Sequence, residues 1–144
     1  MLSTPHILIG SAIVKIIPNP LISLPLAFLS HFLFDFMPHW DFKIAFKPKP
    51  LLYALIDYAV GLTIVFWLSL TDTHQFIIIL GGISATLPDF MMAGWKVLNI
   101  KLLNVFPLNV LNNFHHNIQN KVNIFWGSIV SIITILVSIY ILVR

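Results

Sequence analysis

An all-α membrane-embedded bundle is the fold class this sequence predicts: about four to five membrane-embedded helices plus one amphipathic helix at the interface. Three observations predict it. The chain is 58% hydrophobic and 9% charged, where a soluble domain carries roughly 25% charged residues. Its mean hydropathy is +0.94. Its apolar stretches have helical lengths and are separated by short turns. So apolar a surface requires lipid around it. The length of 144 residues fits one domain over residues 1–144.

The elements follow in order. Residues 5–17 (PHILIGSAIVKII) form a short apolar run, with Pro5 suited to a helix start. Such a run rises only about 20 Å, short of a hydrocarbon core of about 30 Å. It therefore enters the bilayer incompletely or packs inside the protein. The N-terminus lacks a basic leader region, and Pro5 and His6 interrupt a leader pattern, so we read this stretch as part of the mature chain. Pro18, Asn19 and Pro20 make a turn. Residues 20–37 form the second segment, with Pro25 as a first-turn residue or kink and Pro38 as its end. Residues 39–50 are a polar, basic connection. Residues 51–70 are long enough to span, and Thr71 to His74 turn the chain. Residues 75–95 form the fourth segment, with a break expected near Pro88. Between 97 and 118, Leu108, Val110, Leu111 and Phe114 alternate with Asn109, Asn112, Asn113 and Asn117 at near-helical spacing. That pattern suits an interfacial amphipathic helix. Residues 122–143 are a final span.

Composition excludes several classes. With no cysteine, disulfides and thiolate zinc sites are ruled out, and with no glutamate any general base must be Asp or His. The pI of about 9.4 comes without interleaved aromatic and basic residues. It suits anionic membrane lipids as partners, not nucleic acid. Lys43, Lys47, Lys49, Lys96, Lys101 and Lys121 lie in loops on one side, against Lys15 and Arg144 on the other. Six basic residues against two put the first side in the cytoplasm. An Ile-, Asn- and Lys-rich chain with one Arg suits a prokaryote with an AT-rich genome.

The scarce polar groups are not scattered. His6, His31, Asp35, His39, Asp41, Asp57, Asp89, His115 and His116 all fall at or near cytoplasmic segment ends, leaving Asp72 and His74 on the far side. His31 and Asp35 are four apart and share a helix face. His39 lies a turn further, past Pro38. An Asp at depth costs a few kcal/mol on insertion scales (about 2.5–3.5) and faces a cavity or a partner; Asp57 is the clearest case. A cation relieves that cost. Mixed His and carboxylate donors suit Zn, with Mn or Fe as alternatives, and so many donors suffice for two or three ions. The plainer readings stand beside this one. His31 and Asp35 can form a structural hydrogen bond, Asp41 can be a turn or cap residue, and Asp89 a cap. His115 and His116 can be a solvated helix face, and since neighbours point about 100° apart, at most one of them is expected to coordinate. Trp40, Trp67, Trp95 and Trp126 read as an interfacial belt or packing.

Thr4-Pro5-His6, the stretch Ser30-His31-Phe32-Leu33-Phe34-Asp35 with Pro38-His39-Trp40-Asp41, and Leu87-Pro88-Asp89 resemble the YdjM-like inner-membrane metal-dependent hydrolases. The metal site such families carry is distantly similar to the helical sites of zinc-dependent phospholipase C and P1-type nucleases. The resemblance implies metal ligands at His6, His31, Asp35, Asp89 and His115 or His116. Here Phe90-Met91-Met92 follows Asp89 where the family commonly has Asp-His.

The sequence thus leads to a membrane metallohydrolase acting on a phosphoester of a lipid or headgroup. His6, His31, Asp35, His39, Asp89, His115 and His116 are the metal candidates. Asp41 and Asp57 are the catalytic ones, orienting or deprotonating water. Lys43, Lys47 or Lys49 would attract an anionic headgroup. The alternatives are a metal or proton transporter, which the nearly apolar outer half disfavours, and a non-catalytic metal-binding or lipid-binding protein with a saturated ligand shell.

Overall fold

The structure is a computed structural model that describes residues 1–41, 48–97 and 106–144, with the backbone alone for 48–50 and 94–97. The described residues form six helices and no strand: α1 (Ser3–Ile16), α2 (Pro20–Phe36), α3 (Pro48–Leu68), α4 (Gln75–Val97), α5 (Leu108–Ile118) and α6 (Ile124–Leu142). Three stretches are long and apolar enough to cross a membrane: Leu51–Leu68, Gln75–Ala93 and Ile124–Leu142. The helices α1 and α2, at 14 and 17 residues, fall short of a bilayer thickness at 1.5 Å per residue.

Burial explains how so short an α1 is accommodated. It is the axis of the bundle and packs against α2, α3, α4 and α6. Its Ile7, Leu8, Ala12 and Val14 are wholly buried and meet Val65 of α3, Ile78 of α4 and Leu142 of α6 in one core. Close approach to α4 depends on glycine. A Cβ on Gly10 would lie 2.5 Å from the carbonyl oxygen of Gly81, and one on Gly81 would lie 2.7 Å from that of Gly10. Small residues at this crossing let the two backbones touch, the usual device where lipid leaves helices little hydrophobic drive to associate. The outer faces are apolar and uncovered, with Leu21, Trp67, Phe76 and Phe125 all strongly exposed. An apolar surface this extensive marks a face that is not turned to water.

Helix starts follow local chemistry. Asn19 accepts from the Leu21 amide at the start of α2, where Pro20 needs no donor partner. Asn123 does the same for Trp126 in α6. Pro25 and Pro88 both lie inside helices. The expected break near Pro88 does not occur: α4 runs on to Val97, and it carries Asp89 as an interior residue instead of a cap. The amphipathic helix is shorter than the 97–118 expected, covering Leu108–Ile118; residues 98–105 of that stretch lie outside the described residues.

The chain runs up and down. Lys15, near the end of α1, pairs with Asp72 between α3 and α4, which defines one end. At the other end lie the starts of α1, α3 and α6 and the end of α2. There the segment after α2 pairs with the α5–α6 connection. The Asn120 amide donates to the Asp35 carbonyl (3.2 Å), His39 N–H to Asn120 (3.0 Å), and Val122 N–H to His39 (2.9 Å). Gly127 of α6 makes room for it: a Cβ there would sit 2.2 Å from the Trp40 nitrogen.

A candidate metal centre around Asp35

Asp35 is the hub. Its carboxylate is buried near the end of α2 and touches groups from four parts of the chain. On Oδ2 are His115 Nε2 at 2.9 Å and His31 Nε2 at 3.4 Å. On Oδ1 are the Met1 ammonium at 2.6 Å, His6 Nε2 at 3.1 Å and His39 Nε2 at 3.9 Å. Asp89 Oδ1 approaches from α4, 3.5 Å from His31 Nε2 and 3.6 Å from His115 Nε2. The His31 and His115 Nε2 atoms are 3.1 Å apart.

His31, Asp35, Asp89 and His115 therefore present four donor atoms that all lie within 4.8 Å of one another. A tetrahedral ion with donors at about 2.0–2.1 Å holds them about 3.3 Å apart. Five of the six separations in this set are 2.9, 3.1, 3.4, 3.5 and 3.6 Å, which bracket that value. Protonation supports the match. His31 Nδ1 lies 2.8 Å from the Ala85 carbonyl. A carbonyl only accepts, so Nδ1 carries the proton and Nε2 turns its lone pair inward. This is the orientation a backbone carbonyl gives a metal-binding histidine. His115 Nδ1 is buried without a hydrogen-bond partner. The donor set could hold a metal ion.

The remaining candidates fall in three places. His6 and His39 stand on the Oδ1 side of Asp35, with the His6 ring stacked on His31 at 4.3 Å between centroids. His116 is exposed and stacks beside His115 at 6.1 Å; of the pair, His115 is the one that reaches the cluster. Asp57 is engaged elsewhere. Its Oδ2 accepts from the Ser3 amide at 2.5 Å and the Thr4 amide at 3.2 Å, and the Thr4 hydroxyl lies 2.7 Å from its Oδ1. Because α1 has no side-chain cap of its own, Asp57 of α3 supplies one across helices. These bonds satisfy the carboxylate at depth, so its burial needs no catalytic explanation. Asp41 lines an open cleft of about 470 Å³ with Trp40, Lys121, Val122, Asn123 and Ile124. The cleft adjoins the centre through the His39–Lys121 pairing.

Sequence reasoning missed the groups that hold the ligands in place: the Ala85 carbonyl, Gly127, the Asn120 backbone, and Gln119, whose Nε2 lies 3.4 Å from His115 Nε2. Only Gln119 left a trace, four residues after His115 on a helical stretch. Lys43, Lys47 and Lys101 lie outside the described residues, as do the side chains of Lys49 and Lys96.

Comparison with protein-family models, with curated proteins and with solved structures gives no match for this chain.

Proposed function

We propose that this protein is a membrane-embedded metal-dependent hydrolase that cleaves a phosphoester of a lipid or headgroup at the cytoplasmic face of a prokaryotic inner membrane. Metal-dependent hydrolysis is what the YdjM-like resemblance of its motifs implies; the phosphoester substrate is our reading of the site chemistry. One observation supports the metal: four donors from α2, α4 and α5 at tetrahedral spacing around a buried carboxylate. In this reading α1 and α2 are embedded beside three spanning helices, and α5 lies at the interface.

When bound, zinc would lower the pKa of a water and neutralise phosphoryl charge. The chain's own residues would do the rest. His31, fixed through Ala85, and His115 present ring nitrogens, and Asp35 ties them together. The Asp89 side chain is 42% exposed while the other three are buried, so substrate would arrive on its side. Exposed Phe90 and Phe114 follow Asp89 and precede His115 and give that side an apolar rim for acyl chains. In the neighbouring cleft, Lys121 would draw an anionic headgroup, and Asp41 is the carboxylate for proton transfer.

One observation favours a second reading. Four protein donors fill a tetrahedral shell, as in structural zinc sites, which suits a metal-stabilised protein without catalysis. Two measurements separate the readings. The purified full chain, assayed for bound metal by elemental analysis, should contain zinc, and His31→Ala should lose it. Headgroup release from a panel of phospholipid vesicles should then fall to background with chelator. Metal near zero in both proteins would overturn both readings. Metal present with no chelator-sensitive release would leave the structural one.

A further inference from the structure

The centre around Asp35 is rich in acceptors. The Asp35 and Asp89 carboxylates accept and, when ionised, cannot donate. His31 gives its Nδ1 proton to the Ala85 carbonyl. The non-bridging oxygens of a phosphoester are acceptors too, so a phosphoryl group arriving here needs N–H groups to meet it. Arginine, the usual bidentate partner, is not at hand. The chain has one, Arg144, and its guanidinium lies over the Tyr140 ring at 4.4 Å, past the other end of α6. The Met1 ammonium is engaged on Asp35 Oδ1, whereas His115 approaches Oδ2.

A neutral donor does reach the four-donor set. Gln119 Nε2 lies 3.4 Å from His115 Nε2. Its place is fixed from both sides. Gln119 follows His115 by four residues at the end of α5, so the two side chains share a face, and His115 is held on Asp35 Oδ2 at 2.9 Å. The next residue, Asn120, donates its amide to the Asp35 carbonyl (3.2 Å) and accepts from the His39 N–H (3.0 Å). Gln119 itself is half-buried. An imidazole nitrogen has one lone pair in the ring plane. When His115 Nε2 directs that pair at a cation, it no longer accepts from Gln119, and the amide N–H is released toward the ion's surroundings. Ligand atoms on a zinc-sized ion stand about 3 Å apart. An oxygen entering the shell beside His115 is then a neighbour of the same nitrogen that Gln119 approaches, and the amide can turn to it.

We propose that Gln119 binds the substrate: its side-chain amide donates to a non-bridging phosphoryl oxygen of the phosphoester held at the four-donor set. The inference rests on the metal-dependent phosphoester reading above and deepens it by naming the group that recognises the phosphoryl oxygen. Lys121 in the neighbouring cleft supplies positive charge; Gln119 supplies a directed bond at the reacting group.

The test uses the purified full chain in detergent, loaded with zinc and freed of excess metal. Zinc content is measured by elemental analysis and the affinity for inorganic phosphate by calorimetry. Gln119→Ala should keep the wild-type zinc content and bind phosphate about tenfold or more weakly, the worth of a hydrogen bond to a charged group. Gln119→Glu, which keeps the size but replaces the donor by a negative charge, should bind phosphate more weakly still. Phosphate affinity unchanged in both variants would overturn the role of Gln119 while leaving the metal reading intact. Affinity lost in Gln119→Ala but kept in Gln119→Glu would also overturn it, because the side chain would then act through its oxygen. Zinc lost from both variants would reduce Gln119 to a prop for His115 and overturn it as well. A wild type that holds zinc but does not bind phosphate would remove the phosphoester reading, and one without zinc the metal reading itself.

Discussion

The two ends of the bundle handle charge in opposite ways. At the far end, Lys15 and Asp72 form an ion pair, both partly exposed, and Asp72 also accepts from the His74 amide at 2.7 Å. One cation meets one anion, and water can reach both. At the near end, Asp35 is buried and meets four histidines and an ammonium, with Asp89 opposite. There three buried ring nitrogens, His6 Nδ1, His39 Nε2 and His115 Nδ1, have no hydrogen-bond partner among the described residues. The far end pairs one charge with one charge; the near end gathers five donors and a second carboxylate around one buried aspartate.

The widest separation between the two ends should come from neutralising each aspartate. Asp35→Asn changes the group that His6, His31, His39 and His115 all approach. We expect it to abolish metal binding and to lower unfolding free energy by about 3 kcal/mol or more, the cost of breaking a buried charge pair. Asp72→Asn should cost about 1 kcal/mol at most. Chemical unfolding of both variants in the same detergent checks this. Equal losses would mean that Asp35 is no more than another ion pair.

A second contrast lies between two glycines. Gly127→Ala pushes a Cβ onto Trp40 N at 2.2 Å, beside His39. Gly81→Ala presses on Val14 and on the Gly10 carbonyl, the latter at 2.7 Å, at the α1–α4 crossing. Each overpacks a buried contact and should cost about 1–3 kcal/mol. They should differ in metal content: Gly127→Ala should lower it by displacing the His39 segment, and Gly81→Ala should leave it unchanged. Elemental analysis of the two proteins distinguishes a positioning role for Gly127 from simple packing.

How much of this was legible beforehand can be judged residue by residue. The helices were, because periodicity and Pro, Asn and Gly punctuation are local signals. Asp35 with His31 was, because a spacing of four on a helix fixes a shared face. Asp57 was noticed for the expected cost of its depth, but its partner is the amide end of α1, 53 or 54 residues away, and no local pattern reports a pairing that tertiary packing creates. The same holds for His39. Pro38 hid its direction, and only the pairing with Asn120 and Val122 turns it back toward Asp35. The choice of His115 over His116 likewise needed the rotation of α5 against α2.

Asp57 provides the next test. As the cap of α1 it should behave like other helix caps, so Asp57→Ala should cost about 0.5–2 kcal/mol. If its task is capping, Asp57→Asn should recover most of that loss, because an amide oxygen still accepts from Ser3 and Thr4. A general base would show the reverse pattern: near-normal stability in both variants and hydrolysis lost in both. Unfolding curves and phospholipid headgroup release measured on the same preparations decide between them.

The smallest effect belongs to the far end and depends on pH. The Lys15 ammonium, with help from the His74 amide, holds the Asp72 carboxyl below its ordinary range. A depressed carboxyl stabilises the fold while it is ionised in both folded and unfolded chains, that is, above an unfolded value of about 3.9. The contribution is lost as pH falls through the lower folded value. Lys15→Met should therefore cost no more than about 1 kcal/mol at neutral pH. That difference from wild type should stay level down to about pH 5 and shrink below about pH 4. It should also narrow in high salt, since a partly exposed pair is screened. A difference that grew on acidification would show that Lys15 acts through some group other than Asp72.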